Sequence, residues 1–187
     1  MQKKTYLAVI CILLLLVVMQ TAAQPHKQHD ERAGYCQFED FATDINFFRA
    51  TMLGESRDRA IARKKALINA RGQLAGNIQA IIRSVFDVYT TSDASADRYE
   101  YLTRQIVKKK ITGMVVVCSK TVKLDNGLYR SYVAVELPRS SVVGELNRQT
   151  VAGEGLQEGY RFADFEQKLK DEMEKAGREK HNEIIIR

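Results

Sequence analysis

The chain has 187 residues, of which 45% are hydrophobic and 28% charged, and a formal net charge of +6 at pH 7. That length carries one domain with its own core and is thin for two. Lys and Arg are interleaved with Asp and Glu almost throughout, so the modest basicity reads as a solvated surface, with anionic envelope surfaces the alternative, and it gives no grounds for nucleic-acid binding.

The first 23 residues have the three-part layout of a secretory signal: basic Lys3 and Lys4, an apolar run from Leu7 to Met19, then Thr21-Ala22-Ala23. The run is shorter than the ~20 residues a spanning helix needs, so the expectation is cleavage near Ala23-Gln24 and a mature protein that does not span a membrane. Cys11 lies inside the run after Ile10, which disfavours lipidation at the cleavage point. Export to the periplasm or beyond removes most ATP-using and gene-regulatory roles.

The expected organisation after the signal (1–23) is a flexible leader and aromatic-rich entry (24–44), a core domain (45–150) and a Gly-rich joint with a C-terminal helix and charged tail (151–187). His26 and His29 in the leader have no third metal ligand nearby. Cys36 and Cys118 are a candidate disulfide in an oxidising compartment, and equally plausible as two small buried hydrophobes.

A strand is expected over Ile45–Leu53, with Phe48, Ala50 and Met52 on one face and Gly54 and Ser56 interrupting the pattern. A long helix follows from Arg57 to about Tyr89, with Ser56 as its N-cap. Leu67, Leu74, Ile78, Ile81, Val85 and Tyr89 form its apolar stripe. Ala62, Ala66 and Ala70 form a neighbouring line of small side chains that lets the helix approach a sheet closely. Asp93 to Lys110 reads as a second helix, acidic at its start and ending in Lys108, Lys109 and Lys110, with Tyr99, Leu102 and Ile106 facing inward.

Ile111 to Leu137 reads as a β-hairpin. Asn126-Gly127 suits a two-residue type I′ turn, which puts Asp125 opposite Leu128, Lys120 opposite Val133 and Cys118 opposite Val135. In that register one face collects Val116, Cys118, Val122, Val133, Val135 and Leu137. The other collects Ser119, Thr121, Lys123, Arg130, Tyr132 and Glu136, which makes a candidate contact surface with Tyr132 as its anchor. Lys120 interrupts the apolar face, as a snorkelling side chain or the mark of a bulge. A short helix from Ser140 or Ser141 to about Gln149 follows. A final helix runs from Tyr160 to about Ala176 with Phe162, Phe165, Leu169 and Met173 inward, closed by Gly177. Ile184-Ile185-Ile186 is read as an edge strand, a partner contact or a tail.

The segment Phe48-Arg49-Ala50-Thr51, then Ala60, Ala66, Ala70-Arg71 and Leu74-Ala75, and later Tyr129 through Pro138, resembles the Lpp-twenty family of bacterial envelope lipoproteins. The N-terminal domain of flagellar assembly protein T is similar in layout. The resemblance covers about residues 45–150. It implies an α+β fold, a small antiparallel sheet with helices on one face, in an envelope protein without a known enzymatic activity. The chain departs from that family in lacking a lipidation Cys at the expected cleavage point, which puts tethering by lipid in doubt.

No phosphate loop, nucleophile elbow or CxxC pair is present, and His181 lies in a charged tail without a catalytic partner. The functional expectation is therefore an exported cell-envelope protein, a non-enzymatic binding or structural module without a cofactor. Its expected partner is another envelope protein or a second copy of itself. A periplasmic holdase-type chaperone is the alternative, and an envelope-polymer hydrolase a third reading.

Overall fold

Small side chains every fourth residue, at Ala62, Ala66 and Ala70, continued by Leu74, Ile78 and Ile82, give one long helix a single inward line, and all six are fully buried. That helix organises the fold. In a computed structural model describing residues 36, 40–90, 92–150 and 161–185, the elements run β1 (Phe47–Ser56), α1 (Arg59–Phe86), α2 (Asp93–Lys110), a 3-10 turn (Ile111–Gly113), β2 (Val115–Lys123), β3 (Tyr129–Pro138), α3 (Arg139–Thr150) and α4 (Phe162–Ile185). The fold is α+β. The expected signal segment, the His26/His29 leader and the Gly153–Gly159 joint lie outside the described residues, as do the side chains of Ile184 and Ile185.

The sheet is antiparallel throughout in the order β1-β3-β2. Its inner face presents Phe48 and Ala50 from β1 and Val133, Val135 and Leu137 from β3. These meet α1, Ile106 and Val107 of α2, Val142, Val143 and Leu146 of α3, and Phe165, Leu169 and Met173 of α4. Phe86, off the expected stripe of α1, stacks on Tyr99 at 4.7 Å between ring centroids and lies 4.8 Å from Phe165, so one aromatic cluster joins three helices.

Helix boundaries differ from expectation at several ends: α1 stops at Phe86, three residues short of Tyr89, and α3 begins at Arg139, ahead of Ser140 and Ser141. Asp58, not Ser56, caps α1: its carboxylate accepts from the Ile61 N–H at 2.8 Å, while the Ser56 hydroxyl accepts from the Asp58 N–H. β1 consequently runs on through Gly54 to Ser56. Gly177 does not close the last helix, which continues to Ile185. The helix passes so near the Thr43 carbonyl oxygen that a Cβ at position 177 would lie 2.4 Å from it. This glycine serves packing and not termination.

Candidate functional site

The hairpin decides where the candidate contact residues point. The loop has three residues: the Gly127 N–H donates to the Leu124 carbonyl at 2.9 Å, the Leu124 N–H to the Leu128 carbonyl at 2.7 Å, and Gly127 alone in the turn has positive φ, +80°. This is a type I turn closed by a left-handed glycine, not the two-residue turn that Asn-Gly suggests. From the turn to Cys118 every pairing moves by one residue, so Lys120 faces Tyr132 and Cys118 faces Ala134. Val117 is then an extra residue, a β-bulge, beyond which Val116 faces Val135.

With a side-chain period of two, this shift splits the expected surface. Arg130, Tyr132 and Glu136 lie on the outer face with Cys118, Lys120 and Val122. Ser119, Thr121 and Lys123 lie on the helix side, and the Thr121 hydroxyl donates to the Ser131 hydroxyl at 2.9 Å. The bulge sits at Val117, three residues before Lys120.

The outer face is covered where a contact surface was expected. Cys36 and Cys118 form a disulfide with Cα atoms 5.6 Å apart. It fastens Cys36 over β3, where Cys36, Tyr132 and Ala134 make a second small core with Phe41, Cys118 and Val122. Tyr132 is only 7% exposed, so it is a packing residue and no contact anchor. Thr51, on the same face of β1, is buried, and its hydroxyl has no hydrogen-bond partner among the described residues.

Ion pairs frame this covered patch. At one end Arg49 donates to Glu136 at 3.0 Å, to the Ala42 carbonyl at 3.0 Å and to Asp44 at 2.5 Å, with its guanidinium 5.0 Å from the Phe47 ring centroid. Burial raises the Asp44 pKa. The Asn46 and Phe47 N–H donors and the Arg49 guanidinium outweigh it and hold the carboxyl below its usual value. At the other end Arg130 meets Glu55 at 2.5 Å. The candidates Arg130 and Glu136 are therefore engaged in pairs that fasten β3 to β1.

The two sheet edges are treated differently. On β1 the Leu53 carbonyl accepts from Asn69 of α1 at 3.0 Å and the Glu55 carbonyl from Lys65 at 3.1 Å, so helix side chains occupy that edge. On β2, Val115, Val116 and Val117 are 55%, 42% and 37% exposed in succession. A bulge, Lys120 and Lys123 are devices by which edge strands resist indiscriminate pairing; the bulge falls at Val117, the last of the three valines, and the lysines follow, so Val115 and Val116 stay uncovered.

Glu145 of α3 is the most enclosed carboxylate among the described residues, and sequence reasoning missed it. It bonds the Gln149 amide at 2.9 Å and pairs with Lys110 at 3.2 Å, Lys109 at 3.6 Å and Arg148. The Gln149 and Lys110 hydrogen bonds, then the Arg148 and Lys109 charges, hold its pKa down to about 2 from 4.5. The signal available in sequence was Glu145 with Arg148 and Gln149 at helical spacing. Its partners on α2 were out of reach. A carboxyl depressed in the folded state adds stability that is complete above about 4.5 and disappears as pH falls towards about 2. Glu145→Gln should therefore melt below the parent protein at pH 7 and converge with it near pH 2, which thermal melts across that range will measure.

Two concavities stand out among the described residues. A depression of about 420 Å³ lies between Tyr89 and the Asp164, Gln167, Lys168, Asp171 and Glu172 side chains of α4, and one of about 200 Å³ between α1 and α2 at Gln79, Arg83, Glu100 and Thr103. Among the described residues no group of three His, Cys, Asp or Glu side chains is placed to hold a metal, and no helix is long and apolar enough to cross a membrane. No protein-family model matches the sequence, and the curated proteins contain no significant match to it.

Proposed function

We propose that the protein is an exported, non-enzymatic binding module of the bacterial cell envelope, which captures an extended segment of a partner envelope protein along β2. The observation that carries this reading is the asymmetry of the sheet edges: one occupied by Asn69 and Lys65, the other presenting three exposed valines. An added strand gains main-chain hydrogen bonds from an open edge and specificity from alternate side chains. The disulfide supports the exported setting, because such bonds persist in oxidising compartments. The resemblance to the Lpp-twenty family supports the envelope.

A photo-crosslinking residue placed at Val116 tests the edge in the native envelope, with Tyr101 of α2, which is more exposed than Val116, as the control position. The expected result is one discrete adduct from position 116 and none from 101, lost when Val115→Lys is added. Adducts of equal yield from both positions, or none from 116, would overturn the edge reading. An adduct of twice the chain's own mass identifies a second copy as the partner and replaces the heterologous assignment.

A further inference from the structure

The outward face of α1 combines two properties that no other described helix has together. Over its 28 residues α1 carries Arg59, Arg63, Lys64, Lys65, Arg71 and Arg83 and not one Asp or Glu. Two isoleucines stand in the middle of those cations, Ile61 at 48% exposure and Ile68 at 58%. Ile61, Lys64, Ile68 and Arg71 follow at spacings of three and four, so they share one stripe opposite the buried line of Ala62, Ala66 and Ala70, with Lys65 on its flank toward the β1 edge.

The charges are available. Among the described residues Arg59, Arg63, Lys64 and Arg71 form no ion pair, and Lys65 spends one donor on a backbone carbonyl. The nearest acids are committed elsewhere: Asp58 caps the helix and Glu55 holds Arg130. The patch is thus cationic with an apolar centre.

We propose that this face of α1 docks the protein on an anionic phospholipid surface. Cations at the rim pair with headgroup phosphates while Ile61 and Ile68 enter the boundary between headgroups and acyl chains. An acidic polysaccharide or a nucleic acid would use the same cations and leave the isoleucines idle, and it is the apolar centre that favours the bilayer. The helix need not move to do this, because its opposite face is fixed to the sheet through the alanine line.

The test uses protein beginning at Gln24, which retains the compact unit of residues 32–187, and two vesicle preparations: phosphatidylcholine alone, and phosphatidylcholine mixed with phosphatidylglycerol. Co-sedimentation should occur with the mixed vesicles only and weaken as salt is added. Each lost cation should weaken binding about fivefold, so Lys64→Glu with Arg71→Glu should abolish it. Ile61→Ser with Ile68→Ser should lower it by about tenfold or more while leaving the salt dependence in place. Lys168→Glu with Lys170→Glu on α4 changes net charge equally and should leave nearly all binding intact. All these positions are exposed or only partly buried, and coincident thermal melts will establish that the variants fold. Equal binding to both vesicle types, no binding to either, or insensitivity to the isoleucine pair would overturn the proposal. So would tight binding to heparin or duplex DNA that competes fully with vesicles and ignores that pair.

Discussion

Gly54→Val should yield no folded protein, and Gly54→Ala should lower stability by more than about 3 kcal/mol, beyond the usual range for overpacking. The reason is what a methyl group would meet. A Cβ at position 54 would lie 2.4 Å from the Ala66 nitrogen, 2.7 Å from the Ala62 carbonyl oxygen and 2.7 Å from the Lys65 Cβ. Two of these are helix backbone, which cannot turn aside as a side chain does. Relief would require lifting α1 from the sheet and opening the contacts of the whole alanine line. Gly72→Ala and Gly76→Ala are the matched controls: both lie on exposed stretches of α1 with nothing within 4 Å of the added carbon, so each should stabilise by about 0.4–1 kcal/mol through the unfolded chain. Urea unfolding of the three variants gives opposite signs for the same chemical change. A Gly54→Ala variant as stable as the parent would show that the helix is free to shift, and the close crossing would not constrain the fold.

Reduction of the disulfide is the second large effect expected. Cys36 and Cys118 are separated by 82 residues, and closing a loop of that size confines the unfolded chain by about 4 kcal/mol in the entropy model. The native state loses something as well, because the bond secures the cover over Tyr132 and Ala134. The urea midpoint should fall on adding reductant, and a Cys36→Ser/Cys118→Ser double variant should reproduce the reduced protein and ignore reductant. Hydrogen exchange should speed up on the outer face of β3, around Tyr132, more than at Leu74 or Ile78 in the helical core. An unchanged midpoint in reductant would mean that the crosslink adds nothing to the stability of the fold.

The helices and their order were legible because their evidence is local. Every fourth position from Ala62 to Ile82 repeats within α1, and the charges of α2 match its dipole. β1 was legible through Phe48, Ala50 and Met52. The hairpin was found but misregistered, because Asn126-Gly127 serves a two-residue turn and a three-residue loop alike, and only strand pairing distinguishes them. One residue of slip at the turn was enough to assign Ser119, Thr121 and Lys123 to the wrong face. The Cys36–Cys118 bond was legible as one of two readings of the cysteine pair, but nothing periodic near Cys36 said that it would lie over Tyr132 and Ala134. Gly54 shows a middle case. A glycine in a strand and a line of alanines in a helix each signalled close approach, yet nothing in the sequence said that they approach each other.

The strand order also sets a timetable. The hairpin of β2 and β3 closes over a short loop, an event of microseconds, whereas β1 must wait for the strand it borders. Arg49 and Glu136, which join the two, are 87 residues apart, and Glu55 and Arg130 are 75 apart. Loop closure over such distances comes before any pairing energy is returned, and topologies of this kind fold slowly. In a chain that emerges from its N-terminus, β1 and the apolar side of α1 are complete long before Pro138 arrives to cover them. During that interval the alanine line and Phe48 have no sheet to rest against, so the stage most vulnerable to misassembly is built into the order of the strands.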